Sequence, residues 1–435
     1  MNIKEKKIVI ACPADTRSGY GARSRDICKA LINAGCDIEI MSLPWGNTPM
    51  GALDNDPILK SKVITTSLKT QPDIFLQISI PNEFKPIGKY NIGITAGIET
   101  TGCRAEWLEG INRMDLVLVS SKHSKNVFES VKYEKRNKQN NQAVELVEAR
   151  TPIQVLFEGI DEEVYPGHAH DFVLEELDSI PNDFCFLFCG HWLQGEIGHD
   201  RKDIGTLIHT FLQTFAGLPA KEQPALLLKT SGATYSVTDR NHIKSKIQQI
   251  HDLVENIGKT KLPPIYLLHG NMTDSEMNNL YHHEKVKAMV SFTKGEGFGR
   301  PLLEFTTTGK PVIASAWSGQ VDFLNPDYAA LLPGTLVKVH PSAVNDWIIP
   351  ESQWFQVNYQ VAANVMLNCF KQYDSFLEHS KPHQAHTFEK FTMEKMGDLL
   401  VEYLERYIED KTPELTKAPD SPLPKLKLPK IKPKS

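Results

Sequence analysis

The chain has 435 residues, 41% hydrophobic and 23% charged, with 48 Lys and Arg against 53 Asp and Glu for a formal net charge of -5. At roughly 100–200 residues per domain this suggests two or three globular domains, and the charge argues against a nucleic-acid binder acting through its whole surface, leaving local basic segments open. The odd set of seven cysteines fits reduced thiols in a reducing, cytoplasmic compartment, and neither a secretory leader nor a run near the roughly 18 apolar residues of a membrane span is legible.

In the first third, short apolar runs predict strands at Ile8–Cys12, Asp37–Met41, Ile74–Ile78, Asn91–Thr95, Leu116–Val119 and Gln154–Phe157. Helix-like stretches lie between them near Gly21–Ala34, Arg104–Asn112 and Lys122–Val131. Continuous apolar strands alternating with helices indicate βαβ units around a parallel sheet covered on both faces. The polar segment Glu134–Gln142 reads as a surface loop.

After a connection at Gly159–Asp183 the pattern restarts. Strands are predicted at Phe184–Cys189, Ala225–Lys229, Ile265–His269, Lys287–Ser291, Pro311–Ala314 and Ala329–Leu332. Helices fit near Lys202–Phe215, Asn241–Asn256, Asp274–His282 and Pro301–Thr308, giving a second doubly wound α/β domain. Beyond Pro350 the chain reads as helical, over Trp354–Tyr373 and Phe388–Ile408. The tail from Lys411, with Lys425, Lys427, Lys430, Lys432 and Lys434 among prolines, is too polar to bury a core and is expected to be disordered or polyproline-like.

The most informative stretch is Gly295-Glu-Gly-Phe-Gly-Arg-Pro-Leu-Leu-Glu304. A glycine-rich turn follows a strand, and Pro301 stands where a helix starts. Free amides at such a start, approached closely past glycines, suit an anion. Glu296 in the turn and Glu304 on the helix offer acceptors for sugar and ribose hydroxyls. Cations recur at predicted helix starts: Arg23 and Arg25 after Ser18-Gly-Tyr-Gly21, Arg201 and Lys202 after the first strand of the second domain, and Arg300. Cations there oppose the helix dipole. A bound diphosphate would account for all three, whereas solvated surface charge is the alternative for any one.

Together these residues resemble the large E-x7-E family of retaining glycosyltransferases of the GT-B fold (family 4, group 1 type), which includes sucrose-phosphate synthases and mannosyltransferases. The resemblance runs through Glu296 and Glu304, Gly309-Lys-Pro-Val-Ile-Ala314, Ser318-Gly319, Gly159-Ile-Asp161 with Tyr165-Pro166, and Asn271-Met-Thr273 with Leu280-Tyr281. It implies two Rossmann-like domains facing a cleft: an acceptor domain at 1–165, a nucleotide-sugar domain at 176–385, a crossover helix at 386–410 returning to the first domain, and a basic tail at 411–435. It further implies Glu296 at the donor sugar, Glu304 at the ribose, and Lys202 with Arg201 at the diphosphate. The backbone of Gly297, Phe298 and Gly299 would meet phosphate or sugar beside Arg300. Met272 would lie near the base, and Gly19, Tyr20 and Gly21 would approach from the first domain. The co-substrate is then a nucleoside-diphosphate sugar, the acceptor a hydroxyl compound, and no metal or other cofactor is expected.

Three positions depart from the common pattern. Glu99, in Asn91–Thr100, replaces a frequent histidine and is a second catalytic candidate, or else a plain helix-start carboxylate; His191 follows Gly190 where arginine is usual; Asp322 replaces glutamate. The acceptor is expected near Trp45, Glu99, Arg104 and Trp107. The stretch at Asn91–Thr100 also resembles glycosyltransferases carried by tailed bacteriophages, which makes a hydroxymethylated DNA base a conceivable acceptor. The lysine-rich tail would then hold DNA by its phosphates; a solubilising end is the alternative. A non-catalytic sugar-nucleotide binder or DNA-tethered module is the rival class, opposed by the joint presence of Glu296, Glu304 and Lys202. Asp54-Asn-Asp56 reads as a turn, and His168-Ala-His170 and His282-His283 lack the further ligands of a metal site.

Overall fold

A computed structural model describes residues 3–409 apart from 138, 139, 141, 233, 259 and 260. The tail read at 411–435 lies outside the described residues. In the first half, β1 (Ile8–Cys12) leads into α1 (Gly19–Asn33) and β2 (Ile38–Ser42); a short α2 (Pro57–Ser61) precedes β3 (Ile74–Ile78) and β4 (Tyr90–Thr95). Then come α3 (Ala105–Ile111), β5 (Leu116–Val119), α4 (Lys122–Ser130), a hairpin of β6 (Tyr133–Arg136) and β7 (Ala143–Val147), and β8 (Ile153–Val155). The sheet has the order β2-β1-β3-β4-β5-β8 and every pairing is parallel. Every residue of β1, β3, β4 and β5 is buried, which explains why apolar residues dominate them.

Leu174 leads into α5 (Glu175–Asp178), and the second half repeats the plan: β9 (Cys185–Cys189), α6 (Ile204–Phe215), β10 (Ala225–Lys229), α7 (Val237–Gly258), β11 (Ile265–Leu268), α8 (Asp274–His282), β12 (Val286–Ser291), α9 (Arg300–Thr306), β13 (Val312–Ser315) and β14 (Ala330–Leu332). Its order is β11-β10-β9-β12-β13-β14, again all parallel. The chain reverses its direction of travel across the sheet between β9 and β12. In open α/β sheets, ligands bind at the carboxyl ends of the strands flanking that point.

Three expectations are corrected. Glu134–Gln142 is not all loop, because Glu134, Lys135 and Arg136 pair with 143–146 across the antiparallel hairpin. Trp354 is not helical. It lies in β16 (Gln353–Val357), paired antiparallel with β15 (Gly334–Lys338), and its indole is buried. Helix begins only at α10 (Tyr359–Lys371), where Asn358 caps Val361 N–H. Arg201 and Lys202 do not open a helix: α6 starts at Ile204, after Asp203 takes a left-handed conformation (φ 52°).

Two further helices close the molecule, α11 (Tyr373–Lys390) and α12 (Met393–Glu409). Met396, Leu400, Leu404 and Ile408 form a stripe at i, i+4 spacing along α12 that joins the core of the first sheet. The terminal helix thus crosses back to the first half, as expected. No helix among the described residues is long and apolar enough to cross a membrane. All seven cysteines are free thiols.

The two crossings between halves are tied together. Ile160 N–H donates to Phe391 O and Met393 N–H to Ile160 O, each at 2.7 Å. A Cβ on Gly159 would lie 2.6 Å from both Met393 Cα and Thr392 O, and these are backbone atoms that cannot swing aside. Gly159→Ala is therefore expected to lower unfolding free energy by about 1–3 kcal/mol, as read from urea denaturation. A variant as stable as the parent would mean that the strands do not cross this tightly.

Candidate functional site

The cleft residues are positioned by the ends of β9 and β12. Arg201 and Lys202 sit on the loop after β9, and Glu296 on the glycine-rich loop after β12. Lys202 Nζ donates to Glu296 Oε1 at 2.5 Å, Arg201 Nη1 donates to Glu296 Oε2 at 3.0 Å and to Gly295 O at 2.7 Å, and Thr293 Oγ1 donates to Oε1 at 2.7 Å. Burial works against the charge on Glu296, but Lys202 and Arg201 outweigh it and hold the carboxyl at about 2. Glu99 reaches the same group from the first half, 3.9 Å from Arg201 Nε. The structure therefore brings Glu296, Glu99, Arg201 and Lys202 together.

The loop carrying the cations rests on a buried pedestal that sequence reading missed. Lys294 Nζ pairs with Asp203 at 2.5 Å, with side chains 2% and 0% exposed, and Tyr359 donates to the same carboxylate at 2.6 Å. Lys294 N–H also donates to Arg201 O at 2.7 Å. The signal in sequence was only a lysine beside the motif, because its partner lies 91 positions away, a separation no local pattern encodes.

The glycines serve an approach between halves. A Cβ on Gly295 would fall 1.8 Å from Glu99 O, and one on Gly297 2.1 Å from Ala96 O. Gly299 holds φ 100° before α9, a conformation that suits glycine. The backbone amides of Gly297, Phe298 and Gly299 have no hydrogen-bond partner among the described residues. The Phe298 ring packs against Phe323 in the core, so this residue offers only its backbone.

Glu304 lies one turn into α9, with Tyr281 donating to Oε2 at 3.1 Å and Arg300 Nε to Oε1 at 2.8 Å. Burial pushes its carboxyl up, with Arg300 opposing. Arg300 also pairs with Asp26 of α1. Met272 borders a cavity of 220 Å³ with Lys229, His269 and Asn271 at the ends of β10 and β11. A cavity of 730 Å³ lies elsewhere, between α1, α12 and Ile160–Glu163.

From the first half, Gly19 opens α1 with free space where a Cβ would point, whereas Gly21 packs its Cα against Thr16 O, 2.1 Å from a Cβ position. Ser18 caps the helix by accepting from Gly21 N–H. Tyr20 bonds Thr95 Oγ1 at 2.9 Å, accepts from Ala96 N–H, and stacks on Trp45 at 4.0 Å between ring centroids. Arg23 and Arg25 are a correction to the helix-start reading. Arg23 donates to Phe157 O and Leu156 O at the crossing, and Arg25 to Ala14 O and Thr16 O. Both arginines brace backbone carbonyls.

Other candidates also move. Trp107 is buried in the first core and faces no cleft. Arg104 reaches Asn345 O and Asp346 of the second half. Asp322 accepts from Lys122 N–H at the start of α4 at 2.8 Å, joining the halves. His191 contacts Ser231 Oγ at 3.1 Å on the cleft rim. Asp56 caps α2, accepting from Leu59 N–H. His170 bonds Val164 O and His282 bonds Asn278 O.

Residues 207–349 match the family model described as glycosyl transferases group 1, a span that contains Glu296 and Glu304 but begins after Lys202. No curated protein sequence matches the chain. Among solved structures it is similar to HepE of Anabaena in complex with UDP and glucose, at 15% identity and TM-score 0.56 over 92% of this chain and 100% of that one. It is also similar to sucrose-phosphate synthase of Thermosynechococcus elongatus, at 13% identity and TM-score 0.59 over 93% and 100%. A glycosyltransferase of Rickettsia africae aligns at 14% identity and TM-score 0.59 over 93% and 99%. At these identities the likeness is one of fold, and the fold is GT-B.

Glu296 yields a pH prediction. Its folded carboxyl, at about 2, lies below the ordinary value of 4.5, so its ionic contribution is full above 4.5 and lost as pH falls toward 2. The stability advantage of the parent over Glu296→Gln should therefore shrink between pH 6 and pH 3 in urea titrations; a constant difference would contradict the ionic role.

Proposed function

We propose that this protein transfers a sugar from a nucleoside diphosphate to a hydroxyl acceptor, with retention of configuration and without a metal ion. The observation that carries the reading is the convergence of Lys202 and Arg201 on Glu296, beside unpartnered loop amides in a cleft between two parallel sheets. The group 1 match over 207–349 supports it, as does the UDP and glucose held by the Anabaena relative of like fold.

Departure of the diphosphate builds negative charge at its bridging oxygen. Lys202 and Arg201, already fixed by Glu296, would meet that charge without reorganising, the most effective form of electrostatic catalysis. Glu296 in turn would accept from a sugar hydroxyl, and Glu304 from the ribose. The base would enter the cavity at Met272. The acceptor would dock on the first-half wall, by Trp45 and Glu99, with the halves closed to exclude water. A DNA-base acceptor follows from the resemblance of Asn91–Thr100 to phage glycosyltransferases; the Lys-rich tail, outside the described residues, would be its tether, which is tested by comparing DNA affinity with and without residues 423–435.

The test is a thermal-shift screen against UDP, GDP, ADP, TDP and their sugars, since a ligand bound only by the folded state raises the melting temperature. One nucleotide should give a clear shift that Glu304→Ala abolishes. With that donor, Lys202→Ala should slow acceptor-free release of nucleoside diphosphate by about 10²–10³-fold while circular dichroism stays unchanged. Full activity in Lys202→Ala would end its assignment to the diphosphate.

A further inference from the structure

Arg300 occupies the seam between the halves. Its Nε donates to Glu304 Oε1 at 2.8 Å, and its Nη1 pairs with Asp26 Oδ2 on α1. One guanidinium thus holds both the carboxylate read as the ribose acceptor and a carboxylate of the opposite half. The side chains of Asp26, Arg300 and Glu304 are 8%, 19% and 9% exposed, so water offers neither acid a ready substitute for the arginine. The guanidinium is planar and rigid. Fixing Nη1 on Asp26 therefore sets the angle at which Nε meets Glu304. Asp26 lies three residues from Arg23, whose guanidinium grips the crossing at Leu156 and Phe157. A single helix, α1, thereby holds the crossing and reaches Arg300.

We propose that Asp26, Arg300 and Glu304 form a closure latch, in which Asp26 acts as a positioning residue that makes Glu304 available to a ribose only when the halves are closed. This rests on the donor-site reading of Glu304. With the halves apart, Arg300 loses Asp26 and is free to take Glu304 in a two-pronged grip, the favoured geometry of an arginine and a carboxylate. That grip competes with ribose hydroxyls for the same oxygens. Closure draws Nη1 away to Asp26 and leaves acceptor capacity on Glu304. By linkage, a bound ribose favours closure to the same degree that closure favours the ribose.

The test uses the full chain and Asp26→Asn, which keeps the side-chain shape. Small-angle scattering without ligand should show a larger radius of gyration for Asp26→Asn than for the parent. Titration calorimetry should show UDP affinity falling by about tenfold, within the usual range of coupling between sites, with pyrophosphate affinity unchanged because it has no ribose. In a Glu304→Gln background, Asp26→Asn should cost UDP nothing further. Unchanged scattering with unchanged UDP affinity overturns the latch, as does equal loss for UDP and pyrophosphate, the mark of a general defect. Should Asp26→Asn fail to fold by circular dichroism, Asp26→Ser, which also removes the carboxylate and leaves Arg300 able to grip Glu304, takes its place, with the same expected pattern. If the parent binds neither probe, the donor reading fails, and scattering alone then decides the latch.

Discussion

Two backbones approach to contact only where no side chain stands between them, and this constraint shapes the cleft. The loop after β12 meets the loop after β4 with Gly295 against Glu99 O and Gly297 against Ala96 O. Any other residue at either position would hold the halves apart. The same closeness appears in other contacts between the halves: Glu99 comes within reach of Arg201, Asp322 accepts from Lys122 N–H at the start of α4, and Asp26 meets Arg300. Glycines in such a motif are usually read as room for a ligand. Here, two of them make room for the rest of the protein.

The electrostatics follow from the same crowding. Burying ions is costly unless each finds its partners. Glu296 is satisfied by Lys202, Arg201 and Thr293, and Glu99 meets Arg201 from the other side, so two cations stand between two carboxylates. The pedestal of Asp203, Lys294 and Tyr359 fixes the backbone from which those cations project. The geometry of the group is thus held by residues behind it.

Much of this was legible in the sequence. The central strands are mostly apolar because both faces are covered, so β1, β3, β5 and β10 stand where they were expected. Glu296 and Glu304 stood out because one turn and one helix start hold them at a short, fixed spacing, and Lys202 because of the family resemblance. What stayed hidden depends on partners distant in the chain: Asp26 looks like any helical acid until Arg300 arrives 274 residues later. Arg23 and Arg25 were misread for the same reason, since backbone carbonyls leave no trace in sequence as acceptors. Trp354 was taken for helix because its apolar neighbours carry no turn signal, whereas its strand is fixed by pairing with Gly334–Lys338.

The return of α12 also bears on how the molecule is made. The first sheet forms from residues 8–155, yet its core is closed by Met396, Leu400, Leu404 and Ile408. A ribosome synthesises the first half long before those side chains exist. Until they emerge, the α1 face beneath them stays uncovered, and such exposed apolar surface is where nascent chains aggregate or recruit chaperones. Contacts this far apart in sequence also slow folding. The first half of the chain is thus the first to be synthesised and the last to be finished.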